Sequence, residues 1–259
     1  MVPWSPMPFL LMSLLVCCSV DHAGPEPPGS VHADPGLRGM LVNANETPLG
    51  GTTVLACMAT TCLFGETEAD GTFEFSIDAP ANVAVKTHPK LSSIPRQAAA
   101  LYPARIGEGV FLDLGNVYVP DLPDGVRLGS RNDDAQSLTI GDGLTLTVSP
   151  ARLVSPVGEA IVDLAAAKIP ERRHPPLLEL QGEKVLAVYA LHPFAVESME
   201  SIAIRAPSDA PAGTTILFRT ISALDGRLSQ PARGHADGDE ISTDPSEGIT
   251  ELTWLVVSR

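Results

Sequence analysis

The chain has 259 residues, 44% of them hydrophobic but only 5% aromatic, so its core is built from Val, Leu, Ile and Ala, in one large domain or two small ones. Its 24 prolines and 22 glycines, spread along the length, break long helices and favour short elements joined by turns. With 17 basic against 31 acidic residues the net charge is −14, and no Lys/Arg run offsets it; a phosphate backbone or an anionic membrane surface would be repelled.

The opening, MVPWSPMPFLLMSLLVCCSV, holds an apolar run over residues 9–18. Ten residues are too few to cross a bilayer as a helix, which needs about 20. They have the length of the apolar part of a signal peptide, although no Lys or Arg precedes them. Leu15-Val16-Cys17-Cys18 resembles a degenerate bacterial lipobox, which implies a lipid on Cys18, with Cys17 as the second candidate. The pattern departs from the family's at Cys17, where Gly, Ala or Ser is usual. Ordinary secretion, with cleavage near Ser19 or Ala23, is the other reading. Residues 19–35 are polar, rich in Pro and Gly and without apolar period, as in a flexible tether. His22 and His32 lie within it and take no assigned role.

Residues 36–120 read as a first folded body made of short strands. Leu37, Gly39 and Leu41 alternate with Arg38, Met40 and Val42. NANETPLGG is a turn, and TTVLAC is the next strand. Asp70-Gly71 is a tight-turn signal leading into TFEFSI, with Phe73, Phe75 and Ile77 inward. NVAVKTHP and FLDLGNVYVP continue the pattern, and the turn spacing is that of a β-sandwich. His88 sits in a Thr-His-Pro turn.

The pieces Gly39-Met-Leu-Val and Thr47-Pro-Leu-Gly-Gly-Thr-Thr-Val54, followed by Thr67-Glu-Ala-Asp-Gly-Thr-Phe-Glu-Phe75, resemble the carboxypeptidase regulatory-like domain. That resemblance implies a transthyretin-like sandwich of bacterial surface proteins with a scaffold or adhesion-like role and no catalytic residues. It covers about 80 residues.

Cys57 and Cys62 stand five apart between strand-like stretches. A four-residue hairpin loop would set them face to face at about 4.5 Å between Cα atoms, within disulfide range. Closing so short a loop contributes about 2 kcal/mol by the chain-entropy estimate. Zinc would need two more ligands, and a redox pair would be Cys-x-x-Cys at a helix start. A structural disulfide is the expectation, in keeping with export to an oxidising compartment.

Residues 121–137 are polar and turn-rich and read as a linker. A second sandwich is expected over 138–259. SLTIGDGLTLTVSP is a hairpin pattern, and the apolar stretch 185–191 reads as a strand buried on both faces. SIAIRAP, TTILFRTI and ELTWLVV alternate, which places Ile202 with Ile204, Ile216 with Phe218, and Leu252 with Trp254 and Val256. IVDLAAAKIP has helix-spaced residues but flanking prolines, and is read as strand. Tyr189-Ala-Leu-His-Pro-Phe194, Ile204-Arg-Ala-Pro207 and Pro211-Ala-Gly-Thr214 resemble ZU5-like or immunoglobulin-like modules of bacterial surface proteins; the resemblance implies another sandwich and no site.

Hydrolase and nucleotide motifs are missing: no Gly-x-Ser-x-Gly, Ser-x-x-Lys, His-Glu-x-x-His or phosphate loop occurs. The densest polar cluster holds His235, Asp237, Asp239, Glu240 and Asp244. Asp237, Asp239 and Asp244 are a calcium candidate, set against a solvated hairpin turn. Glu171-Arg-Arg-His-Pro-Pro176 is the one basic cluster, an exposed turn or a docking surface for an acidic partner. His192, before Pro193 at a strand end, is read as structural.

The expectation is therefore an all-β, two-sandwich protein of the cell envelope, lipid-anchored to the outer membrane or else secreted, without cofactor or enzymatic activity. Its partner would be a protein or polysaccharide at the cell surface. A carbohydrate-binding module and a secreted hydrolase with an unrecognised site are the alternatives; exposed aromatics would favour the first, and a pocket gathering ionisable groups the second.

Overall fold

The computed structural model describes residues 34–78, 80–87, 96–130, 134–156, 158–177, 179–180 and 182–259, which fall in one compact unit. The fold is all-β. Helix among the described residues is limited to single 3₁₀ turns at Pro150–Arg152 and Glu171–Arg173.

The first half carries β1 (Gly36–Val42), β2 (Thr53–Met58), β3 (Thr61–Glu66), β4 (Thr72–Ser76), β5 (Ala81–Thr87), β6 (Leu101–Ile106) and β7 (Phe111–Tyr118). They form two sheets, β4-β1-β7 and β3-β2-β5-β6. β1 runs antiparallel to β4, with Leu37 opposite Phe75, and parallel to β7. Leu37, Leu41, Phe73, Phe75 and Ile77 from one sheet meet Val54, Ala56, Val83 and Val85 from the other in a first core.

Local chemistry fixes the turns. The turn before β4 needs Gly71, which has φ +82°; a Cβ there would lie 2.9 Å from the Leu41 carbonyl oxygen. Asp70 steadies it by accepting from the Thr72 amide and hydroxyl at 3.0 and 2.7 Å. Gly50 lies so close to the same turn that a Cβ would stand 2.8 Å from the Ala69 carbonyl oxygen. Buried Thr67 ties the two segments: its hydroxyl donates to the Leu49 carbonyl at 2.6 Å and accepts from the Thr52 amide at 3.0 Å.

The second half contains β8 (Val126–Arg127), β9 (Gln136–Thr139), β10 (Thr145–Val148), β11 (Leu153–Val154), β12 (Asp163–Lys168), β13 (Val185–His192), β14 (Val196–Pro207), β15 (Thr215–Ile221), β16 (Ala232–Asp237), β17 (Glu240–Thr243), β18 (Ile249–Leu252) and β19 (Trp254–Ser258). All twelve belong to one sheet ordered β8-β12-β13-β19-β15-β16-β17-β14-β10-β9, with β11 and β18 also on β14. The sheet curls back on itself: Ala166 in β12 donates its amide to the carbonyl of Ile140, just past β9, at 2.8 Å. Leu144, Leu146, Leu164, Tyr189, Ile204, Phe218, Leu255 and Val257 fill the core it encloses. IVDLAAAKIP is a strand over Asp163–Lys168, as read from its flanks, and β13 is buried on both faces over most of its length.

A third core lies between the two sandwiches, where the sequence predicts only two interiors. The outward residues of β2 and β5, Leu55, Cys57 and Ala84, pack on Ala165, Ala167, Val188, Ala190, Trp254 and Val256. Within the expected linker, Leu122 and Leu128 are buried and β8 pairs with β12.

One phase assignment is corrected. Leu252 and Trp254 do not share a face: Leu252 joins Leu255 and Val257 in the second sandwich, while Trp254 and Val256 point into the middle core. The reason is a break at Thr253. β18 pairs with β14, β19 pairs with β13 and β15, and the change of partner inserts one residue out of step. Because side chains alternate, one extra residue moves all that follow to the other face.

Candidate functional site

The lipidation candidates Cys17 and Cys18, and His22, His32 and His88, lie outside the described residues. Cys57 and Cys62 form a disulfide, facing each other across β2 and β3 with Cα atoms 4.0 Å apart. Met58 also pairs with Thr61, so the loop is two residues, Ala59-Thr60, and not four.

The acidic candidates do not converge. Asp237 and Asp239 sit at the turn between β16 and β17, whereas Asp244 follows the far end of β17. Four residues of strand separate them by roughly 13 Å. Asp244 Oδ1 instead accepts from His235 Nδ1 at 2.8 Å, and Glu240 pairs with Arg205 at 3.8 Å. Among the described residues no group of three or more His, Cys, Asp or Glu side chains is placed to hold a metal ion.

The basic cluster at 171–176 behaves differently from an exposed turn. Arg173 is largely buried and donates to the carbonyls of Asn43 and Ala44 at 3.1 and 3.0 Å and to Glu46 Oε1 at 3.2 Å. Its guanidinium lies 4.3 Å from the centre of the Tyr118 ring. Such a planar, multiply bonded arginine clasps the second half to the first. Other clasps repeat the theme. Arg96 makes a bidentate pair with Asp163 at 3.1 and 2.8 Å, with both side chains about three-quarters buried. Lys86 donates to the Ala223 carbonyl at 2.6 Å, and Trp254 Nε1 to the Ala99 carbonyl at 2.9 Å.

His192 is buried beside the Arg96–Asp163 pair, its Nε2 3.6 Å from Asp163 Oδ1 and its Nδ1 without a partner among the described residues. Burial, then the Arg96 charge, push its pKa down to about 4, against the opposing pull of Asp163. It is therefore neutral at pH 7.

Beside the Arg173 clasp the seam opens into a cleft of about 290 Å3. Tyr102 comes from β6, Asn116 and Tyr118 from β7, Glu46 from the first turn, and Arg172 and His174 from the 3₁₀ turn after β12. Leu101, Val42, Pro175 and the Trp254 side chain supply its apolar wall. His174 Nε2 donates to the Ile169 carbonyl at 3.0 Å. Burial lowers its pKa more than that bond raises it, so the ring is neutral and Nδ1 remains an acceptor. Burial raises the pKa of the Tyr102 and Tyr118 hydroxyls, which stay protonated. Arg172 is exposed and makes no ion pair among the described residues.

Glu46 is the one carboxylate among the described lining residues, and Arg173 holds it. What the cleft offers is a set of hydrogen-bonding groups, the phenol ring of Tyr102, the edge of Tyr118 and the unpaired guanidinium of Arg172. Sequence reasoning singled out Arg172 and His174 as a basic cluster but missed Tyr102, Asn116 and Tyr118, whose only signal was their placement in strands. An aromatic platform is not present among the described residues: of the large exposed apolar side chains, Phe64 alone is aromatic.

No protein-family model matches the chain, and no curated protein matches it significantly.

Proposed function

We propose that the chain is an exported, non-catalytic binding or scaffold module of the cell envelope, held by lipid on Cys18 or Cys17 or secreted outright. The observation that carries this reading is the middle core. Two sandwiches, each with its own interior, are joined over a third apolar layer and four polar clasps, which makes a rigid body suited to presenting a surface. The Cys57–Cys62 disulfide accords with an oxidising compartment. The order strand, turn, strand, then tight turn and aromatic strand, supports the carboxypeptidase regulatory-like resemblance of residues 36–120.

A hydrolase finds less support. Glycoside hydrolysis needs two carboxyl groups roughly 5–9.5 Å apart. The described lining of the cleft has one, and it is occupied. A saccharide-binding version of the module is favoured by the half-buried tyrosines of the cleft.

Expression of the full chain in a bacterial host with a clickable fatty acid tests the reading. Label in the membrane fraction, lost in Cys18→Ala or Cys17→Ala, and oxidised Cys57 and Cys62 are expected. An unlabelled cytoplasmic product with two free thiols would overturn it.

A further inference from the structure

We propose that the cleft binds a single carboxylate-bearing sugar residue, such as a hexuronate at the end of an acidic polysaccharide, with Arg172 taking the carboxylate. The inference rests on the binding-module reading and gives it a ligand class.

Size comes first. Small-molecule sites occupy roughly 300–1,000 Å3, and this cleft lies at the bottom of that range. It admits one ring, not a long stretch of chain. The lining then selects the chemistry. A pyranose has C–H faces and a rim of hydroxyls. The phenol ring of Tyr102 carries an apolar body with a polar tip, which suits both features, while Tyr118, whose face Arg173 covers, adds its edge. The Asn116 amide can donate and accept, and the free Nδ1 of neutral His174 accepts from a hydroxyl.

Charge supplies the last element. On a chain of net charge −14, a small acid would be repelled from most of the surface. At the cleft the cations Arg172 and Arg173 stand among Glu46, Glu171 and Asp121. Arg173 is committed to carbonyls and Glu46, whereas Arg172 keeps its whole guanidinium fork unpaired among the described residues. A fork of that shape matches a carboxylate with two parallel hydrogen bonds.

Calorimetric titration of the full chain tests this, with D-glucuronate and D-galacturonate, neutral glucose and galactose, and a tripeptide with a free C-terminus as probes. The acidic sugars should bind and the neutral ones about tenfold more weakly or not at all, since one charge-assisted bidentate contact is worth that much. Arg172→Ala should lose about the same factor. Asn116→Ala, at another exposed lining position, should weaken acidic and neutral sugars alike, with the melting temperature of both variants unchanged. The site assignment is overturned by no heat from any sugar, by equal affinity for acid and neutral, by binding indifferent to Arg172→Ala, or by binding of the peptide alone. Those failures leave the exported scaffold standing. Turnover of aryl glucuronides by the wild-type chain, lost in Arg172→Ala, would instead keep the site and sink the non-catalytic reading.

Discussion

The outer cores each close within one half of the chain, whereas the middle core joins the two halves. Inside each sandwich, Leu, Ile, Val and Phe interdigitate from facing strands. Between the sandwiches Ala84, Ala98, Ala165, Ala167 and Ala190 stand among Leu55, Leu101, Leu122, Ile169, Val188 and Val256, with the Trp254 ring set into the layer. Polar clasps cross this layer from one half to the other: Arg96–Asp163, Arg173 on the Asn43 and Ala44 carbonyls, Lys86 on Ala223 and Trp254 on Ala99. Within the second half the comparable buried pair is Arg219–Glu183. Apolar area holds all three layers, and the directional bonds add registration between the halves.

The strongest way to break that contrast is Trp254→Ala. The side chain is 2% exposed and fills the middle core, and its loss also leaves the Ala99 carbonyl without its donor. Truncating a buried aromatic costs about 3–5 kcal/mol. Calorimetry should show a lower melting temperature, with the two halves separating into two transitions as the layer between them weakens. An unchanged melting temperature would remove Trp254 from the core.

The second test is acid. His192 has an ordinary pKa of 6.5 when unfolded and about 4 in the fold. Between those values the unfolded chain takes up a proton that the folded chain refuses, so stability falls as pH drops from about 6.5 to about 4 and levels below that. The full loss is at most about 3 kcal/mol. Glu251 acts in the opposite sense, because burial first and then neighbouring Glu197 raise its pKa against the Ala223 backbone bond and Lys86. The informative quantity is therefore the difference between wild type and His192→Gln at each pH. The wild-type urea midpoint should fall relative to that of His192→Gln as pH drops from about 7 to about 4; parallel lines would place His192 in solvent.

How much of this was legible follows the same division. Period-two alternation located the strands in which Phe73 and Phe75, or Ile202 and Ile204, declare a face by their contrast with polar neighbours, but not β6, β8 or β11. Asp70-Gly71 marked its turn by dihedral requirement alone. The middle core was illegible because a strand buried on both faces has no contrast to read: in DLAAAK the alanines serve two interiors at once. Trp254 was misphased since a change of pairing partner at Thr253 leaves no mark in composition. The cleft was half legible. Arg172 and His174 stood out as charge, but Tyr102 and Tyr118 are 16 residues apart on strands of different sheets and meet only through the fold.

Reducing the disulfide is expected to have a smaller effect. Cys57 faces the middle core and is fully buried, while Cys62 is half-exposed on edge strand β3. Reduction leaves both sulfurs in place and removes only the cross-link, about 2 kcal/mol for so short a loop. Denaturation with and without dithiothreitol should show that difference; the hairpin ladder from Thr53–Glu66 to Met58–Thr61 keeps the register without it. A collapse of the fold on reduction would mean that the middle layer depends on the staple more than on its clasps.

The smallest effect sharpens the contrast most. Arg38 donates from Nε and Nη2 to one oxygen, Asp113 Oδ2, across β1 and β7 at 3.0 and 2.9 Å, a pair as short as that of Arg96 with the two oxygens of Asp163. Yet they lie on the outer sheet with more than half of each side chain in water. Solvent already satisfies those charges, and salt screens what remains. Arg38→Ala should leave the melting temperature unmoved at physiological salt, whereas Arg96→Ala lowers it, because Asp163 then stays partly buried without its cation. Matching shifts from the two variants would show that position at the seam contributes nothing, and that the clasps are ordinary surface pairs.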